Sequence, residues 1–187
     1  TAFGIALSLG ITAHNIIASF KKPVFVPGRL QRVHTAYDGG VSIFVDYAHT
    51  PDALEKALSA VKALSDNRTI VVFGCGGDRD ATKRPLMGKA ALAADYVVVT
   101  SDNPRTEDPQ AIIRDIVAGM GDPTGRYEVE ADRRAAIARA IALAKPGDSI
   151  LVAGKGHEDY QLVAGRVLQF DDAVVAAEEL ERAFGDQ

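Results

Sequence analysis

The sequence predicts an α/β fold: a Rossmann-like, mainly parallel sheet with helices on both faces and a hairpin at each end. Three observations carry this reading. From Asp46 onward the text alternates strand, loop and helix. The strand runs are short, β-branched and apolar at consecutive positions, as in strands covered on both faces. The helical stretches open on capping signals, Thr50-Pro51-Asp52 and Asp108-Pro109, with proline at the first helical position, where its missing N–H costs nothing. Alternation of this kind closes into parallel strands joined by helical crossovers.

Taken in order, residues 1 to about 20 read as two short helices joined near Gly10, with Thr12 as an N-cap. Lys21-Lys22-Pro23 and Pro27-Gly28-Arg29 then place two prolines and a glycine close together, the signature of a connection. We set a domain boundary there, separating residues 1–26 from residues 27–187. Val33 to Tyr37 and Val41 to Asp46 flank Asp38-Gly39-Gly40 and predict a first hairpin. Strands are expected at Ile43–Val45, Thr69–Phe73, Tyr96–Thr100, Tyr127–Val129 and Ser149–Ala153. A second hairpin, Gln161–Val163 and Arg166–Leu168 around Ala164-Gly165, precedes an acid-capped helix from about Asp172 to Phe184.

Composition narrows the function classes. A net charge of -4 without a basic stripe argues against a nucleic-acid partner. No apolar run is long enough to span a bilayer, and no signal peptide is visible. The only cysteine, Cys75, excludes an intramolecular disulfide and an all-cysteine metal cage, and fits a reducing cytoplasm. His14, His34, His49 and His157 are scattered, so no metal site is expected. The text opens at Thr1 directly in apolar, helix-like residues, which reads as a chain cut from something longer.

In a parallel α/β sheet, ligands bind beyond the carboxyl ends of the strands. The segments to read are therefore Asp46 to Thr50, Gly74 to Asp80, Ser101 to Arg105 and Gly154 to Asp159, the last three mixing charge with glycine or proline. Gly74-Cys75-Gly76-Gly77 is not the dinucleotide pattern, because Arg79 stands where close helix packing needs glycine or alanine. Its glycines suit a tight strand-to-helix turn, and Asp78, Arg79, Asp80, Lys83 and Arg84 form either a solvated charged face or a ligand-facing cluster. Asp102-Asn103-Pro104-Arg105 is either a turn into the next helix or a set that grips both halves of a zwitterionic amino acid. In the second case the arginine holds a carboxylate through paired hydrogen bonds and the acid meets an ammonium. Gly154-Lys155-Gly156-His157-Glu158 is likewise a flexible turn or a further part of that site.

Together and in this order, these segments resemble the carboxy-terminal domain of the Mur ligases, in particular the diaminopimelate-adding branch. The likeness runs from about Pro27 to the end, and residues 1–26 resemble the closing helices of that family's central ATP-binding domain. It implies a cytoplasmic, ATP-dependent amide ligase of peptidoglycan synthesis that joins meso-diaminopimelate to UDP-N-acetylmuramoyl-L-alanyl-D-glutamate through an acyl phosphate. The partners implied are small molecules: the amino acid, the UDP-sugar peptide, ATP and Mg²⁺. By the same resemblance, Arg79, Asp102, Asn103, Pro104, Arg105, Gly154 and Glu158 bind diaminopimelate, while Arg29, Asp46 and His49 lie on the nucleotide side. No catalytic nucleophile, general base or metal ligand is expected within these residues. No G-x-x-x-x-G-K-[ST] phosphate loop stands in the 187 residues, so they are expected to be inactive alone. Three alternatives remain: a lysine-adding or folate-polyglutamate relative, a non-catalytic docking module, and a nicotinamide-dependent oxidoreductase.

Overall fold

The computed structural model describes residues 2–21, 26–36, 38–122 and 124–185. Two short helices come first, α1 (Ala2–Ser8) and α2 (Ala13–Phe20), and the Thr12 hydroxyl accepts the Asn15 N–H as the N-cap of α2. The Lys22-Pro23 part of the expected connection lies outside the described residues. Beyond it run β1 (Gln31–Arg32), β2 (Ser42–Asp46), α3 (Pro51–Leu64), β3 (Thr69–Phe73), α4 (Lys83–Ala91), β4 (Tyr96–Val99) and α5 (Pro109–Ala118). Next come β5 (Tyr127–Val129), α6 (Arg133–Leu143), β6 (Ser149–Ala153), β7 (Tyr160–Val163), β8 (Arg166–Gln169) and α7 (Asp172–Phe184).

Six strands form one sheet in the order β1-β2-β6-β3-β4-β5, parallel throughout except for β1. The two faces of each strand feed separate cores. Phe44, Val71, Phe73, Val97 and Leu151 meet α3, α4 and α5 on one side. Ile43, Val45, Ile70, Val72, Ile150 and Val152 meet α6 and α7 on the other. This two-sided burial is why the strand text shows no polar alternation. The Thr50 hydroxyl and the Asp108 carboxylate accept backbone N–H groups at the starts of α3 and α5, each with proline in the first turn.

The first hairpin differs from expectation. Its first strand is Gln31–Arg32, in register with Val45 and Phe44, and not Val33–Tyr37. The Val33 N–H carries the pairing one residue further, to the Ile43 carbonyl. On the edge of β2 that faces β1, the Val41 N–H bonds back to Asp38 O, while the opposite edge continues along the β6 side with Ser42 N–H to Asp148 O and Gly147 N–H to Gly40 O. An edge strand has one neighbour only, so losing that neighbour ends it. Tyr37 lies outside the described residues. The second hairpin forms as expected, β7 against β8, as a separate two-stranded sheet.

Candidate functional site

Strands β3 and β6 are neighbours, yet α4, which follows β3, and α7, which follows β6 by way of the hairpin, cover opposite faces. The chain therefore parts above their carboxyl ends, and a crevice opens there. It holds a cleft of about 410 Å³ lined by residues that include His49, Gly74, Gly76, Arg79, Lys83, Asp102, Asn103, Arg105, Gly154, Glu158 and Tyr160.

Glycines bring the loops together. A Cβ on Gly77 would lie 1.9 Å from the Pro104 carbonyl oxygen, and one on Gly74 would lie 2.3 Å from that of Thr100. The β3 and β4 loops thus touch backbone to backbone, and the Gly77 N–H donates to Asn103 O at 2.9 Å. On the β6 side, Gly154 adopts φ 117°, and a Cβ there would stand 2.6 Å from Asp102 Oδ2. Absence of a side chain at Gly154 leaves room for that carboxylate.

Within Asp102-Asn103-Pro104-Arg105 the side chains differ in what they leave free. Asn103 is spent inside the protein: Nδ2 donates to Glu158 Oε2 at 2.8 Å, and Oδ1 accepts the Leu162 N–H at 2.9 Å and Lys155 Nζ at 3.4 Å. Pro104 lies behind the cleft as the surface against which Gly77 packs. The Arg105 backbone is held at φ 55° by the second hairpin, its N–H donating to Leu162 O and its carbonyl accepting Ala164 N–H, both at 2.8 Å. Its Nη1 donates to Gly77 O at 2.7 Å. Among the described residues no acceptor faces its Nε or Nη2.

Asp102 is buried, and no described residue donates a hydrogen bond to its carboxylate. Burial pushes its pKa above the usual carboxylate range. Arg133 and Lys155 pull the other way, and Asp172 and Glu158 add to the rise. Glu158 Oε2 takes Asn103 Nδ2 and Lys155 Nζ, and no described residue donates to Oε1. Arg79 is exposed at the rim, with one hydrogen bond to Asp78 O. Its loop is tied to the next one, as Asp78 accepts from Thr106 and its N–H donates to Glu107. Cys75 lies in the cleft wall, where burial pushes its thiol up to about 12, so it stays protonated and is no nucleophile.

The structure separates the remaining expected residues. His49 lines this same cleft and meets the Tyr47 ring edge-on, its Nδ1 2.8 Å from Tyr47 O. Arg29 and Asp46 are not among the lining residues. Arg29 stacks its guanidinium over the Tyr47 ring at 4.8 Å, and Asp46 Oδ2 accepts the Leu30 N–H at 2.7 Å, fixing the turn that carries Arg29. Among the described residues no three His, Cys, Asp or Glu side chains converge as a metal site.

Sequence reasoning gave Lys155 no role of its own within its segment and passed over Arg133. Lys155 is fully buried, donating to the Tyr160 carbonyl as well as to Asn103 and Glu158. A lysine between two glycines, two residues past a strand with an apolar centre, was the available signal. Arg133 is also fully buried, paired with Asp172, and nothing in its neighbourhood of the sequence marks it.

The family model described as Mur ligase, glutamate ligase domain matches residues 28–156. A UDP-N-acetylmuramoyl-L-alanyl-D-glutamate--2,6-diaminopimelate ligase from Syntrophomonas wolfei is 52% identical over 181 residues, 96% of this chain and 37% of that protein. The ligase of the same name from Synechococcus elongatus is 52% identical over 172 residues, 91% of this chain and 34% of its own length. The chain thus spans little more than a third of these relatives. A solved structure of a ligase of this name superposes with a TM-score of 0.79 at 41% identity, over 97% of this chain and 37% of that one. The UDP-N-acetylmuramate-alanine ligase from Thermotoga maritima, at 18% identity and a TM-score of 0.63 over 97% of this chain and 35% of that one, is a likeness of fold alone.

Proposed function

The chain belongs to the Mur ligases, through their glutamate ligase domain, and on that premise we propose that its cleft presents meso-diaminopimelate to a reaction completed by other parts of a longer enzyme. That enzyme is the cytoplasmic ligase adding this amino acid to UDP-N-acetylmuramoyl-L-alanyl-D-glutamate. One observation carries the reading: the cleft offers both signs of charge with atoms to spare. Arg105 has Nε and Nη2 free, Glu158 has Oε1 free, and Asp102 has its whole carboxylate free. A nucleotide or other polyanion leaves the two acids unmatched, whereas an amino acid with two ammonium and two carboxylate groups matches both sets.

The chain's own task is grip and alignment. Arg105 takes the carboxylate distant from the reacting amine through a two-point contact, Asp102 and Glu158 take the ammonium beside it, and Arg79 takes the near carboxylate at the rim. Held this way, the reacting amine is delivered in one orientation, and orientation alone can supply about 7–11 kcal/mol of a barrier. ATP and Mg²⁺ serve the full-length enzyme. The cleft's own donors do not fit them, with no phosphate loop in the sequence and no converging acids among the described residues. Arg29 and Asp46, joined through the Leu30 turn and set apart from the cleft lining, form the nucleotide-facing pair. His49 stands between the two groups.

Calorimetric titration of the chain with meso-diaminopimelate and with L-lysine tests the reading. Heat with the first and about 5- to 150-fold weaker binding of the second is expected, since lysine leaves Arg105 unpaired at a cost of about 1–3 kcal/mol. A non-catalytic protein-docking module gives no heat with either, and equal affinity for both removes the assignment of Arg105.

A further inference from the structure

Beneath the cleft, and outside every segment that the family resemblance rests on, a single guanidinium joins three separate parts of the fold. Arg133 is the first residue of α6. A cation there faces the positive end of the helix dipole, and this one is also fully buried, so the position is doubly unfavourable without compensation. Asp172, at the start of α7 and itself fully buried, supplies it: Oδ1 accepts from Arg133 Nε and Oδ2 from Nη2, both at 2.8 Å. The remaining donors reach two strand ends. Nη1 donates to the Ser101 carbonyl at 3.2 Å and Nη2 to the Ala153 carbonyl at 3.0 Å.

Those carbonyls belong to the residues immediately before Asp102 and Gly154. Asp102 and Gly154 face each other so closely that a methyl group on Gly154 would stand 2.6 Å from the Asp102 carboxylate. The gap between the β4 and β6 strand ends therefore sets where the Asp102 carboxylate points, and Arg133 spans that gap. Its charge also favours the ionised form of Asp102, opposing the effect of burial.

We infer that Arg133 is a positioning residue for the amino-acid cleft, stapling the Ser101 and Ala153 carbonyls so that Asp102 and Gly154 keep the spacing the substrate ammonium needs, with Asp172 of α7 as its anchor. The inference rests on the assignment of the cleft to diaminopimelate. It makes α7 part of the substrate site without touching the substrate.

The experiment uses the full-length ligase carrying this chain. Removing Arg133 alone strands a buried Asp172 and endangers the fold. The decisive variant is therefore the double replacement Arg133→Met with Asp172→Leu, since an apolar pair of similar volume usually preserves a buried site's stability. Arg133→Lys, which keeps the charge and loses the fork, accompanies it. KM for meso-diaminopimelate and for ATP, kcat, and a melting curve are read for each, with Arg105→Ala as reference. We expect the double variant to stay folded and its KM for diaminopimelate to rise about ten- to a hundredfold, the penalty typical of a displaced site, while KM for ATP moves less than about twofold. Arg133→Lys should fall between it and the parent. A purely structural pair predicts lower stability and a smaller active fraction with both KM values unchanged, and that result overturns the inference. If Arg105→Ala raises KM for diaminopimelate and the Arg133 variants do not, the inference fails while the cleft assignment stands. If Arg105→Ala leaves it unchanged, both fall together.

Discussion

Arg105→Ala offers the sharpest test of the cleft. The guanidinium has two jobs that the structure separates. Nη1 is an internal tie, to Gly77 O at 2.7 Å and Asn103 O at 3.4 Å, and its loss loosens the β3 loop for any substrate. Nε and Nη2 lie on the other edge of the planar group and present two parallel donors with no acceptor among the described residues. A carboxylate received there makes a bidentate, charge-assisted pair, and its loss should cost about 2–4 kcal/mol, or roughly 30- to 1000-fold in kcat/KM. Lysine has no carboxylate at that end. In the full-length enzyme, the ratio of kcat/KM for diaminopimelate over lysine should therefore fall by that factor, while the loose-loop effect cancels from the ratio. Arg105→Lys should restore little, because an ammonium cannot reproduce the fork. Backbone strain does not confound the comparison, since alanine and lysine meet the same left-handed backbone, φ 55°. Equal losses for both amino acids, with a lowered melting temperature, would show a loop tie and nothing more.

Three further outcomes are expected. Purified alone, the 187-residue chain should release no ADP from ATP in the presence of diaminopimelate, and measurable release contradicts the division of labour proposed here. Asp46→Ala in the full-length enzyme should raise KM for ATP, because the Leu30 N–H loses its acceptor and the Arg29 turn is freed. Asp46→Asn, which can still accept that N–H, should behave nearly as the parent, and a shift confined to the diaminopimelate KM defeats the assignment. Asp102→Asn should abolish diaminopimelate use yet stabilise the fold at neutral pH. The Asp102 pKa is raised in the fold, so the acid is accommodated without penalty below its unfolded value of about 3.9, and stability is lost as pH rises through the folded value. The melting advantage of the asparagine variant should thus be absent near pH 3 and grow with pH; a constant offset refutes it.

Much of this was legible because local chemistry decides it. Strands such as Thr69–Phe73 and Ser149–Ala153 are apolar at every central position, which only a doubly covered sheet requires, and Thr50-Pro51 and Asp108-Pro109 cap their helices by contacts within three residues. Loops at strand ends were identifiable as a site before any contact was known, since topology brings those ends to one edge. What stayed hidden depends on partners far along the chain. Arg133 meets Asp172 across 39 residues, and Lys155 meets Asn103 across 52. The first strand's shift from Val33–Tyr37 to Gln31–Arg32 is local instead: the Val41 N–H, on the edge of β2 facing β1, is taken by Asp38 O within the turn.

The same distinction divides the Asp102-Asn103-Pro104-Arg105 segment itself. A residue that serves a ligand must keep polar atoms unspent in the free protein, and one that serves the scaffold must spend them, since a buried amide left unsatisfied costs about 1–3 kcal/mol. Asn103 accepts twice through Oδ1 and donates through Nδ2, so it has little left to offer and acts by holding Glu158 and the hairpin in place. Pro104 contributes a carbonyl surface for Gly77. Asp102 and Arg105 keep atoms free at some energetic expense, one as an unpartnered carboxylate in a buried setting and the other on a left-handed backbone. On the proposed assignment, two scaffold residues stand between two ligand residues along four consecutive positions, so a motif matched as one unit carries two unlike tasks. Substitutions at Asn103 should therefore act through Glu158 and the hairpin, and those at Arg105 through the substrate.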